Sequence, residues 1–202
     1  QQYLSPLDEN IAKFFISKIN NSRLEELILL YDSVLEDEIQ EYCEEQEQFE
    51  KINNGSIRSY TQQEIKQIEN RPYTYVPNEL VNKNTREKTD SKLKATRIDL
   101  ANYLCEINPD HKTFTNHSGV HQYQECHHII PMSAQRDFPN VRLDSLFNLI
   151  SLCPVCHSQV HYASKIEKEN IFMKMYNVRR KEMLKHGFNE EKIKEIFNKY
   201  YL

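Results

Sequence analysis

Apolar side chains in the first fifty residues recur at helical spacing. Ile11, Phe14, Phe15 and Ile19 share one face, and Leu24, Leu27, Ile28, Tyr31, Leu35, Ile39 and Tyr42 continue a second stripe. Each stripe has a start signal. Ser5, Pro6 and Asp8 precede the first, and Ser22 with Glu25 precedes the second. The spacing predicts a helical hairpin. Asn53, Asn54 and Gly55 break it, and Thr61 with Glu64 opens another short helix. The polar, proline-containing stretch "NRPYTYVPNELVNKNTREKTD" reads as a connector. A helix is then expected from about Ser91 to Leu104, with Leu93, Leu100 and Leu104 as its inner face.

From Cys105 the periodicity stops. "CEINPDHKTFTNHSGVH" has no period and many turn formers. "YQECHHII" reads as a strand, residues 131–147 as a loop containing Pro131 and Pro139, and "LISL" as a second strand. "CPVCHSQVHYASKI" turns into a helix. The tail is helical again, with a stop at Gly187 and a new start at Asn189. The order strand, long loop, strand, helix inside a mostly helical chain predicts an α+β fold.

Composition narrows the class. Only three glycines occur in 202 residues, against an all-β sandwich with many tight turns. No apolar run approaches the roughly 20 residues of a membrane span. The start "QQYLSPLDEN" lacks the basic-then-apolar pattern of a signal peptide. A cytoplasmic chain with no membrane partner is expected; an oligomer is compatible with it. The net charge of −4 hides an asymmetry. Residues 1–50 carry 13 acidic and three basic side chains, whereas residues 51–202 carry 17 acidic and 23 basic ones. The basic part permits a nucleic-acid partner. The acidic N-terminal helices offer a face to a partner protein, although a solvated face completing the fold is the plainer reading.

Five cysteines without a secretory signal do not form a disulfide framework. Cys153 and Cys156 form a C-x2-C knuckle, whose turn aims both sulfurs at one ion. A redox dithiol or two core thiols is the plainer alternative. A structural zinc needs four ligands, so the missing pair is either Cys105 with His111 or Cys105 with Cys126. His111 is favoured, because it shares the irregular segment with Cys105, while Cys126 lies inside the strand. His157 and His161 sit one helical turn apart and, with His127, could hold a second ion. Three neutral imidazoles suit a divalent transition metal, and an open position would make that site catalytic. His128 is left over, in place for a general base.

The stretch "YLCEINPDHKTF…YQECHHIIPM…LFNLISLCPVCHSQVH" resembles the HNH endonucleases of the ββα-metal group, and is similar to HNH domains of bacterial restriction and phage-defence nucleases. The resemblance covers roughly residues 95–165. It implies a metal ligand at His127 and the general base at His128. Asn148 takes the place of the family's Asn, which orients the base or touches the metal. His157 and, as in the colicin-type variant, His161 become further ligands of a catalytic divalent ion (Mg, Mn, Ni or Zn). An all-imidazole set favours the last three. The sequence departs from the family where a second double-Cys knuckle is usual: Asn108 stands at the second thiol position, and His111 is the substitute beside Cys105, Cys153 and Cys156 for a structural zinc.

The pattern along the chain and the resemblance together predict a mostly helical α+β chain carrying a small zinc-stapled ββα-metal core. Its expected parts are an acidic helical region at 1–70, a connector at 71–90, the nuclease core at 91–170 and C-terminal helices packing on it at 171–202. The implied activity is hydrolysis of phosphodiester bonds in DNA, most naturally double-stranded, in restriction or anti-phage defence. Arg136 and Arg142 in the inter-strand loop, and Lys165 and Lys168 after His161, are candidate phosphate contacts. Two other readings stand beside this one: a zinc-ribbon-like nucleic-acid-binding module, and an HNH-type toxin nuclease acting on RNA.

Overall fold

A computed structural model describes residues 46–71, 73 and 89–201. The expected N-terminal hairpin over Ser5–Tyr42, Cys43 and most of the connector lie outside the described residues. The chain divides into two compact units, Gln1–Glu47 and Gln48–Leu202. The second unit carries every element below.

A helical turn ends at Asn53, and Gly55 follows with φ +80°. Helix α1 spans Gln62–Glu69. The expected capping box forms, with the Thr61 hydroxyl accepting the Glu64 N–H and the Glu64 carboxylate accepting the Thr61 N–H at 2.7 Å. Helix α2 spans Ser91–Leu100. It stops four residues before the expected end because Asn102 and Tyr103 adopt left-handed backbone (φ +53° and +55°). The buried face also differs: Leu93, Ala95 and Ile98 point inward, whereas Leu100 is 42% exposed.

Strand β1 (Glu125–His128) pairs antiparallel with β2 (Leu149–Leu152), with His127 opposite Ile150 and His128 opposite Leu149. Two four-residue strands are not stable alone. Here each face is covered. Ile150 and Leu152 pack against α3 (Pro154–Tyr162), α4 (Lys165–Lys185) and α5 (Glu190–Tyr200) through Val160, Phe172, Met175, Tyr176 and Phe197. Cys126 and Leu149 pack against Ile65, Leu93 and Ile98 on the other side. Each buried aliphatic or aromatic side chain contributes roughly 1.5–3 kcal/mol. Helix α4 begins at Lys165 under a Ser164 cap and runs on through residue 170. Gly187 (φ +84°) and the Asn189 cap separate it from α5, as the sequence predicts.

A buried ion pair ties these layers together. Arg179 of α4 donates to Glu106 and, through Nε, to the Leu149 carbonyl at 3.0 Å. Glu106 accepts the Ser151 N–H at 2.8 Å and lies 3.6 Å from Arg97 Nε of α2. Among the described residues, no helix is long and apolar enough to cross a membrane.

Candidate metal centre and catalytic site

The left-handed turn after α2 lays residues 104–106 alongside β2. The Glu106 N–H donates to the Ser151 carbonyl at 2.9 Å, and the Ser151 hydroxyl donates to the Leu104 carbonyl at 3.1 Å. Cys105 is thereby delivered beside the β2–α3 junction. Asn108, where the family would have a thiol, makes a turn instead: its side chain accepts the Asp110 N–H at 3.0 Å and its carbonyl accepts the His111 N–H at 3.1 Å. That turn swings His111 Nδ1 to 3.7 Å from Cys153 Sγ and 3.4 Å from Cys156 Sγ.

Cys105, His111, Cys153 and Cys156 form one four-member ligand set. A sulfur about 2.3 Å and a nitrogen about 2.0 Å from one tetrahedral ion lie about 3.6 Å apart, the separation seen here. Hydrogen bonds from Cys156 and from nearby backbone N–H groups hold the Cys105 thiol well below its ordinary pKa. The Cys105 sulfur and burial push Cys156 up. Three crowded thiols cannot all ionise without a cation between them, so the chemistry of this donor set fits zinc. Cys126 is absent from the set. It is fully buried on the opposite side of the sheet, and burial pushes its pKa up to about 12.

Cys156 and His157 are consecutive on α3, about 100° apart around its axis. They face two different sites. His157, His161 and His127 converge into a second ligand set. Their ring centres lie 5.2, 5.0 and 4.8 Å apart, and His157 Nε2 is 3.4 Å from His161 Nε2. Two nitrogens bound to one tetrahedral ion lie about 3.3 Å apart, with ring centres about 5 Å apart. The set therefore fits a transition-metal ion. Burial first, then the neighbouring histidines, holds the pKa of His127 well below its ordinary value, keeping its lone pair available. Glu125, two residues before His127 and on the same strand face, lies 2.7 Å from His157 Nδ1, which aims Nε2 at the cluster.

Strand alternation sends His128 to the other face, with Leu149. There its Nε2 lies 2.8 Å from Asp144 Oδ1. Asp144 Oδ2 in turn accepts the Asp90 N–H at 2.6 Å, at the cap of α2.

Asn148, expected to orient the base or touch the metal, places its amide among backbone groups of the inter-strand loop. It is 0% exposed. Its Oδ1 accepts the Ile130 N–H at 2.7 Å, and its Nδ2 donates to the Ile130 and Leu143 carbonyls at 2.8 and 2.9 Å. Those bonds commit the amide to closing the loop between the strands, with the His128–Asp144 pair at its two ends.

The expected phosphate contacts are dispersed. Arg136 and Lys165 are exposed and Lys168 is half-buried. Arg142 is instead one wall of a cavity of about 440 Å³, with Arg71, Arg97 and Lys185, and sits 4.7 Å from the centre of the Tyr73 ring.

Residues 109–163 match the family model of the HNH endonucleases, so the chain carries an HNH endonuclease domain. Over 91 residues it is 34% identical to the type IV methyl-directed restriction enzyme EcoKMcrA of Escherichia coli (strain K12). That match takes in 45% of this chain and 30% of the relative, so the chain spans about a third of the relative's length. Cys105 lies before the family segment. Sequence reasoning missed Glu125, Asp144 and Tyr201. Only Glu125 had a signal, its i, i+2 spacing to His127.

Proposed function

We propose that this chain is a metal-dependent HNH-type endonuclease that hydrolyses phosphodiester bonds in double-stranded DNA. One observation carries the reading: adjacent residues Cys156 and His157 turn into two separate ligand sets, one thiolate-rich and one wholly of imidazoles. A binding module stapled by a single zinc has no use for the second.

In this reading Cys105, His111, Cys153 and Cys156 hold a structural zinc that keeps the hairpin against α3. His127, His157 and His161 hold the catalytic ion (Mg, Mn, Ni or Zn), with the imidazoles favouring the last three. When bound, that ion stabilises the negative charge developing on the phosphate. His128 is the general base. The Asp144 carboxylate accepts its Nε2–H, fixes the ring and stabilises the imidazolium formed when the ring takes a proton from water. Asn148 acts through the backbone by keeping the loop closed. Arg136, Lys165 and Lys168 contact phosphates, and Arg142 does so from its cavity wall, giving salt-dependent affinity. The relative's name as a restriction enzyme supports a place in restriction; a role in anti-phage defence and a cytoplasmic location complete the reading. The acidic N-terminal region is a surface for a protein partner.

Nicking of supercoiled plasmid by the metal-loaded chain tests this. His128→Ala is expected to lose nicking while keeping two ions per chain. Nicking by that variant at the wild-type rate sinks the assignment of the base. Cleavage of RNA with no cleavage of DNA under the same conditions sinks the substrate.

A further inference from the structure

Tyr201 is the residue just after α5, outside the segment that matches the HNH family. Its ring packs against Phe172 and Phe197, with centroid separations of 4.9 and 5.9 Å. Its hydroxyl oxygen meets three groups on β1 and the residue after it. His127 Nε2 lies at 3.1 Å, the His128 carbonyl at 3.2 Å and the Ile129 carbonyl at 3.0 Å.

A phenol has one proton to give. The two carbonyls can only accept. If the proton went to His127 Nε2, both carbonyl oxygens would face the phenol oxygen with no proton between them. If it points between the two carbonyls and is shared by them in a three-centre bond, the phenol oxygen can accept the Nε2–H of His127, and every close contact is between a donor and an acceptor. The second arrangement satisfies the buried groups and the first does not.

We infer that Tyr201 is a positioning residue that holds His127 in its Nε2–H tautomer, so that Nδ1 is the nitrogen offered to the ion. Glu125 does the converse for His157 by taking Nδ1 and leaving Nε2. The imidazole set is thus oriented by two partners from different parts of the chain, a carboxylate on β1 and a phenol at the end of α5. Partners of this kind set ring orientation and ligand basicity. The inference rests on the proposed metal site and names what prepares it.

Tyr201→Phe removes the hydroxyl and keeps the packed ring. The test loads the chain with one zinc at the thiolate set and then titrates Ni²⁺ by calorimetry. Nitrogen NMR of the imidazoles is recorded before Ni²⁺ is added. In wild type the spectrum should show the Nε2–H tautomer at His127 and Ni²⁺ should bind. In Tyr201→Phe, Ni²⁺ affinity should fall roughly 10- to 100-fold, as for other partners of metal-bound histidines, and His127 should become a tautomer mixture. Equal Ni²⁺ affinity in the two proteins, or an Nδ1–H tautomer in wild type, overturns the part given to Tyr201 while leaving the metal site standing. A wild-type chain that binds no second ion overturns the metal site and this role together. The wild-type spectrum decides the tautomer even if the variant folds poorly.

Discussion

His128 Nε2 lies 2.8 Å from Asp144 Oδ1, across the inter-strand loop and away from the three-histidine set. Asp144 is itself held, because its second oxygen accepts the Asp90 N–H at the cap of α2. A carboxylate so placed accepts the Nε2–H and fixes the ring. Asp144→Asn keeps the shape and loses that charge. Nicking should fall roughly 10²- to 10⁴-fold, the range for removing an acid–base partner, with two ions still bound. Single-turnover nicking with ion counting checks this; unchanged turnover would separate Asp144 from the chemistry.

Asn148 predicts a different outcome. Its amide satisfies three buried backbone groups, the Ile130 N–H and the Ile130 and Leu143 carbonyls. Each such group left unpaired costs about 1–3 kcal/mol. Asn148→Ala should therefore lose several kcal/mol in urea unfolding, with activity tracking the folded fraction. An Asn148→Ala protein as stable as wild type yet inactive would return the side chain to the chemistry.

The thiols should sort by position. Cys105→Ser should lose the zinc and with it cooperative unfolding of the hairpin, because the Cys105, His111, Cys153 and Cys156 set would have three members. Cys126→Ala should keep the zinc and cost on the order of 1 kcal/mol for a small cavity. Metal content by mass spectrometry of the native chains decides between them. Loss of zinc from Cys126→Ala would contradict the arrangement. Zinc retention should also weaken on acidification, since protons compete for the thiolates and imidazoles.

Tyr60 supplies an alkaline signature. Its hydroxyl donates to Asp90 Oδ2 at 2.6 Å, and that bond, with some burial, pushes its pKa from 10.0 up to about 12. A group whose pKa is raised by folding stabilises the fold below its unfolded value and loses that contribution as pH rises through the folded one. The stability difference between wild type and Tyr60→Phe should thus be steady below pH 10 and shrink between about 10 and 12. Urea unfolding across that range measures it. A difference constant to pH 12 would show that the phenol is not held by Asp90.

Much of this protein can be read along the chain. The two strands, the Thr61 and Asn189 caps, the break at Gly187 and the pairs Cys153–Cys156 and His157–His161 follow from local rules. These are turn formers, capping chemistry and the i, i+3 and i, i+4 spacing on α3 that aims Cys156 and His157 to different sides. Such rules act over one or two turns of backbone, so a single sequence carries them. The end of α2 was misread, because left-handed backbone at Asn102 and Tyr103 has no strong local signal in those residue types. An asparagine between a histidine pair and a knuckle likewise says nothing of which buried backbone groups its amide bonds.

The tertiary structure alone decided what surrounds the histidines. Asp144 comes 16 residues after His128 and Tyr201 comes 74 after His127. No periodicity links residues so far apart. They meet because the inter-strand loop is tied shut at Asn148, and because Phe172 and Phe197 bury the end of α5 against the sheet. Residue type and spacing marked out the candidate metal ligands, with His111 and Cys126 both open as the fourth member of the thiolate set. Only the tertiary structure brought Glu125 to His157, Asp144 to His128 and Tyr201 to His127, because burial of the strands and of the end of α5 sets those contacts.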